Sequence, residues 1–290
     1  MVVSAGDGAT GGLGDGPFDW RLEGGIIDTL MDVRPLPEKE GGSSVGHLFK
    51  SPVLGPEDKG REGADLLLPH MDRHGIGKAL IEFEPHDSVA VAAITSHPDR
   101  FVPAFTIDPN RGVAAIRELR AAVERYDVRA VSLIPAFYNP PVPIDDRRAY
   151  PVYAACEEMG LPVFMTCGVP GPAVACEPQE VIRLDAVCHF FPTLKIVMRH
   201  GALPWIDLAI SLMAKWPNLY YSTSAMAPKH YPPAIIEFAN KRAPDRVLFA
   251  GYFPRGLSVE RTMSELRALP FAPAVWPRFL QGNARHVLRL

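Results

Sequence analysis

Eight short, almost uninterrupted apolar runs recur along the chain, separated by stretches whose apolar residues return every three or four positions. The runs are IIDTLMDV (26–33), KALIEF (78–83), FVPAFTI (101–107), VRAVSLI (128–134), LPVFMTC (161–167), LKIVMRH (194–200), LYYST (219–223) and VLFAGYF (247–253). Runs this short and this apolar suit strands buried on both faces, as in a parallel sheet covered by helices. The stretches between them are helical in pattern: in GVAAIRELRAAVERY, Val113, Ile116, Leu119 and Val123 fall on one stripe. The alternation predicts an α/β fold, a (β/α)8 barrel formed as one domain by residues 24–290.

Two segments break the pattern. Gly, Ala, Ser and Asp dominate residues 4–16, too little apolar surface to repay ordering, so residues 1–23 are expected to form a flexible lead. The connection from Arg34 to about Asp65 clusters Gly, Ser, Pro and charge. A loop beyond about 15 residues in a compact domain is usually functional or mobile, so this one reads either as a lid over the barrel mouth or as plain disorder.

Composition narrows the function classes. With 47% hydrophobic and 22% charged residues in 290, the chain has material for a sizeable core. A formal charge of −3 with mixed signs leaves no basic stripe for a phosphate backbone, so nucleic-acid binding is not expected. No run approaches the roughly 18 apolar residues of a membrane span. The N-terminus lacks the basic-then-apolar order of a signal peptide, and a cytoplasmic location is expected. Cys156, Cys167, Cys176 and Cys188 form no C-x-x-C pair, so four reduced thiols rather than a structural zinc site are expected.

Several segments together carry a resemblance. MDRHGIGKALI, MGLPVFMTCG, FFPTLKIVMRHGA and PNLYYSTSA occur in order at barrel spacing, and GNARHVLRL closes the chain. In combination they resemble the amidohydrolase-related family that includes aminocarboxymuconate semialdehyde decarboxylase, resorcylate decarboxylases and hydrolases. That family opens its first strand with D-x-H-x-H, two imidazoles on alternate residues that point together at a divalent metal. Here the stretch reads Asp28, Thr29, Leu30, Met31, Asp32, so Leu30 and Asp32 take the two histidine positions. The resemblance puts Thr166 at the strand-5 histidine and Tyr252 at the strand-8 aspartate. One Asp, a hydroxyl and a phenol do not supply tetrahedral zinc, and a rescue by Cys167 needs the strand to flip by one residue, so no tightly bound metal and no cofactor are expected.

The same resemblance assigns the family's acid/base role to His200. An imidazole of ordinary pKa at the C-terminal end of a barrel strand suits proton transfer, although a structural histidine bonded to a carbonyl has the same sequence signature. By position Asp32, Thr166 and Tyr252 should face the mouth with it. There Tyr252 can donate to an oxyanion and Asp32 can orient His200 or act as base; alternatively Tyr252 and Leu30 only fill the space of the metal. Glu82 and Glu84 lie two apart at the end of the second strand, either with one of them in use or both solvated past a strand that ends at Phe83. Arg34, Lys229, His230 and Arg255 follow strands and are candidates to bind a substrate carboxylate or phosphate. Alternation turns Cys167 toward the helices, which argues against a nucleophile there.

These residues point to a metal-independent hydrolase, hydratase or lyase acting on a small carboxylate or acyl molecule through His200. The rivals are an inert barrel that binds a ligand or partner, and a metal-dependent hydrolase or decarboxylase with atypical ligands. A homo-oligomer is expected from the resemblance alone.

Overall fold

The computed structural model describes residues 20–34, 48 and 53–290. Of the expected lead, residues 1–19 lie outside the described residues, as do residues 35–47 and 49–52 of the expected lid. The strands are β1 (Ile26–Met31), β2 (Ile76–Phe83), β3 (Phe101–Thr106), β4 (Ala130–Leu133), β5 (Val163–Thr166), β6 (Ile196–Arg199), β7 (Leu219–Ser222) and β8 (Val247–Leu248). They pair in parallel in sequence order. The helices are α1 (Gly63–Arg73), α2 (Ser88–Ser96), α3 (Val113–Tyr126), α4 (Tyr150–Met159), α5 (Leu184–Phe190), α6 (Ile206–Lys215), α7 (Pro233–Lys241), α8 (Val259–Leu266) and α9 (Asn283–Leu288). This is the (β/α)8 architecture that the apolar runs predict. No helix among the described residues is long and apolar enough to cross a membrane.

Alternation along each strand sorts the side chains. Leu80, Ala130, Phe164 and Val197 fill the barrel interior, packed in one cluster with Ala284, Val287 and Leu288 of α9. Two residues further along the same strands come Glu82, Ser132, Thr166 and Arg199. With a side-chain period of two, this sets a polar layer directly on the apolar one, toward the C-terminal ends of the strands.

The sheet closes between its first and last strands. Thr29 donates to Phe249 O through its N–H at 3.1 Å and its hydroxyl at 2.8 Å, and Asp32 N–H donates to Phe253 O at 3.0 Å. The last run, expected as a strand to residue 253, pairs as one only over Val247–Leu248. Beyond it Ala250 and Gly251 donate their N–H groups to side chains, Thr223 Oγ1 at 3.1 Å and Asp28 Oδ1 at 2.9 Å.

Asp28 is buried in this seam and also accepts from Leu30 N–H at 3.0 Å. A Cβ on Gly251 would stand 2.8 Å from Asp28 Oδ2, so the approach requires glycine. Burial pushes the Asp28 carboxyl up to about 7, against the opposing pull of its two N–H donors. In the unfolded chain it titrates near 3.9, so the folded state binds the proton more tightly, and ionisation costs stability as pH rises from about 4 to about 7. Asp28→Asn removes that cost. Relative to wild type, its stability should rise by about 2–4 kcal/mol between about pH 4.5 and about pH 8, read by urea unfolding. A difference that stays flat with pH contradicts this account of the seam.

Candidate active site

Arg199, which the sequence reading passed over, lies at the centre of the polar layer. It is 1% exposed, an inward residue two beyond Val197. Its Nη1–H donates to Glu82 Oε1, its Nη2–H donates to Ser132 Oγ at 2.7 Å, and the Ser132 hydroxyl donates to the same Glu82 oxygen. Three strands, β2, β4 and β6, are thereby tied across the barrel. Burial by itself would raise the Glu82 carboxyl, but the Arg199 guanidinium and the hydrogen bonds from Ser132 and Arg199 outweigh it and hold the group down at about 2. Glu82 therefore lies within β2 as an ionised partner of Arg199, whereas Glu84 is exposed beyond the strand.

His200 follows Arg199 but not its strand. β6 ends at Arg199, and His200, Gly201 and Ala202 all take left-handed backbone with φ of 64°, 87° and 52°. Such φ values in non-glycine residues are uncommon and gather at functional sites. This turn lets two consecutive side chains, Arg199 and His200, line the same cavity. Ser224 holds the turn: His200 N–H donates to Ser224 Oγ at 3.0 Å, and the same oxygen lies 3.3 Å from His200 Nδ1. Burial first, and then the adjacent Arg199 cation, push the imidazole down to about 3, against the pull of Glu82. The ring is thus neutral at physiological pH, not poised near neutrality as an ordinary histidine would be.

The cavity opens at the C-terminal ends of the strands and measures about 540 Å³, within the range of about 300–1,000 Å³ usual for small-molecule sites. Its polar wall comprises Asp32, Glu82, Thr166, Gln179, Arg199, His200, Tyr252 and Arg255. Leu30, Leu48, Ile134, Phe137, Val169, Leu203 and Met226 contribute apolar surface. Asp32 pairs with Arg255 Nη2 through Oδ2 and accepts Arg34 N–H on Oδ1 at 3.0 Å. Burial raises the Asp32 carboxyl, opposed by Arg255. The Tyr252 ring meets His200 edge-on at 5.7 Å, and burial raises its phenol, which keeps the proton.

A sequence profile of the family described as amidohydrolase matches residues 49–290. The chain belongs to the amidohydrolase family. Among solved structures, an uncharacterized TIM-barrel protein of Bordetella bronchiseptica is 25% identical, with a TM-score of 0.75 over 91% of this chain and 98% of that one. A 5-carboxyvanillate decarboxylase of Sphingomonas paucimobilis is 18% identical, with a TM-score of 0.65 over 92% and 100%. A 4-oxalomesaconate hydratase of Rhodopseudomonas palustris is 19% identical, with a TM-score of 0.57 over 91% and 95%. No curated protein matches the sequence.

The side chains at the positions that the resemblance gives to metal ligands do not fit a metal. Leu30 has no donor atom, the Asp32 carboxylate already faces a guanidinium, and the Thr166 hydroxyl donates to Gln179 Oε1 at 2.9 Å. A divalent ion beside Arg255 and Arg199 would meet like charge. Among the described residues no three His, Cys, Asp or Glu side chains stand close enough to hold one.

The other candidates separate. Arg34 is not on the cavity wall; it forms a two-point ion pair with Asp87, at 2.8 and 2.5 Å, and faces Glu62 at 3.5 Å. Asp87 in turn caps α2 by accepting from Val89 and Ala90 N–H, so Arg34 pins the end of β1 to that helix. Lys229 and His230 are exposed on the turn Pro228–His230, also off the wall, where Lys229 N–H donates to Glu265 at 3.3 Å. Asp32 makes its contacts to Arg255 and Arg34 N–H rather than to His200, whose orienting partner is Ser224. Cys167 is fully buried against the outer core, its thiol pushed far up by burial. Gln179, missed in the sequence, bridges Thr166 and Gly168 O, the latter at 2.7 Å.

Proposed function

We propose that this protein is a metal-independent enzyme of its family that acts on a small carboxylate or acyl substrate, with His200 transferring the proton. The observation that carries the reading is the pairing of Asp32, at a metal-ligand position of the resemblance, with the Arg255 guanidinium inside the cavity. Positive charge there is supplied by side chains. The decarboxylase and hydratase among the structural neighbours are named for carboxylate substrates, which fits a cavity walled by Arg199 and Arg255.

In the resting site the imidazole is neutral, with Nδ1 beside Ser224 and the residue on the cavity wall. A ring held near 3 by burial and Arg199 is a weak base. Negative charge that arrives with a substrate, or develops on its oxygen, offsets the nearby guanidiniums and raises the ring's proton affinity at that moment. Arg255, on the cavity wall, would receive an oxyanion, and Tyr252 lines the same wall beside His200. Hydrolysis, hydration and carbon–carbon lyase steps all share this demand.

The test is turnover of a panel of aromatic carboxylates, esters and lactones by protein dialysed against a strong chelator. The activity found should survive chelation unchanged; activity that disappears and returns with added zinc or manganese overturns the reading. The second reading, a barrel that binds without turnover, has in its favour that both ion pairs are closed and His200 is neutral. It predicts binding to panel members with no product.

A further inference from the structure

The two guanidiniums of the cavity differ in what they have left to offer. Arg199 is 1% exposed, with Nη1 and Nη2 on Glu82 and Ser132 and Nε buried in the wall. Its charge is fixed in place and its N–H groups are out of a ligand's reach. The Arg255 side chain is 43% exposed on the loop after β8, lines the cavity, and meets Asp32 through Nη2. A guanidinium carries five N–H donors in a planar fork that matches a carboxylate at two points. The two donor edges of Arg255, Nε with Nη2 and Nη1 with Nη2, share Nη2, whose two hydrogens point to opposite sides, so one edge suffices for Asp32 and the other remains for a second acceptor.

We infer that Arg255 is the receptor for a single substrate carboxylate, bound on that second edge while Nη2 stays on Asp32, and that Arg199 acts only through its field. This rests on the cavity being the substrate site proposed above. Charge bookkeeping sets the number of carboxylates. Arg199 with Glu82 and Arg255 with Asp32 cancel, and among the described residues no further Lys or Arg lines the cavity. One carboxylate thus finds a fork, and a second would enter a low-dielectric site with no partner. Phe137, Val169, Leu203 and Met226 add apolar surface, which suits the flat body of an aromatic monocarboxylic acid.

Calorimetric titration of the full chain with benzoate, its neutral isostere benzamide and the dicarboxylate isophthalate tests this. Wild type should bind benzoate roughly tenfold or more tightly than either of the others. Arg255→Gln should remove that preference. Because this variant leaves Asp32 without its cation, the double variant Asp32→Asn/Arg255→Gln, in which no carboxylate is stranded, is measured alongside and should behave alike. Wild-type benzoate affinity in both variants, equal binding of benzamide by wild type, or no benzoate binding by wild type overturns the assignment. The titration reads no turnover, so failure of the catalytic reading leaves these outcomes unmoved.

Discussion

Arg199→Met is expected to lower the free energy of unfolding by about 3 kcal/mol, because it leaves a buried carboxylate without its cation. For a chain of this size that is a fall of roughly 6–12 °C in melting temperature. Glu82 loses the guanidinium that holds its carboxyl at about 2, and Ser132 loses a donor. The sign of the pH dependence follows from that depression. A carboxyl held below its unfolded value of about 4.3 contributes stability above that pH and loses it as pH falls toward about 2. The gap between wild type and Arg199→Met should therefore narrow on acidification through that window. Arg199→Met/Glu82→Leu, which removes both charges, should recover most of the loss, as buried pairs replaced by apolar residues commonly do. If the double variant is as unstable as the single one, the cost comes from packing rather than from the stranded charge. Circular dichroism melts of the three proteins at several pH values decide the matter.

His200→Asn should lower kcat by about 10²- to 10⁴-fold, the usual contribution of a positioned acid/base group. Asparagine is the appropriate replacement, since His200 sits at φ 64° and Asn tolerates left-handed backbone better than most residues. It should keep the turn, the Ser224 contact to the main-chain N–H, and a melting temperature close to that of wild type. KM should change little, because carboxylate binding is assigned to Arg255. A variant that turns over at the wild-type rate removes His200 from the chemistry. A large rise in KM at constant kcat would make it a binding residue instead.

The barrel was legible because strands buried on both faces leave continuous apolar runs, and all eight runs hold a strand of the sheet. Their ends were less so, since β6 and β8 stop where side chains replace main-chain partners or the backbone turns left-handed. The site was half legible. Resemblance drew attention to His200 and Asp32, and both line the cavity. Arg199 is within reach of simple alternation from Val197, but the resemblance singles out the histidine beside it. Glu82 reads as a solvated residue past the strand end, because its partner lies 117 residues away on β6. Arg34 looked like a loop cation available to substrate, and only the fold brings Asp87 to it. Gln179 could not be read at all: a short polar turn meets β5 through tertiary packing, which leaves no periodicity in the sequence.

The positive charge beside Asp32 is either a guanidinium or a metal ion. Anomalous X-ray scattering at the zinc edge, from crystals of protein produced in zinc-supplemented medium, distinguishes the two most directly. The predicted result is an Arg255 guanidinium on Asp32 Oδ2 and no anomalous peak within coordination distance of that carboxylate. A stoichiometric zinc ion bound by Asp32, with Arg255 turned away, would contradict it.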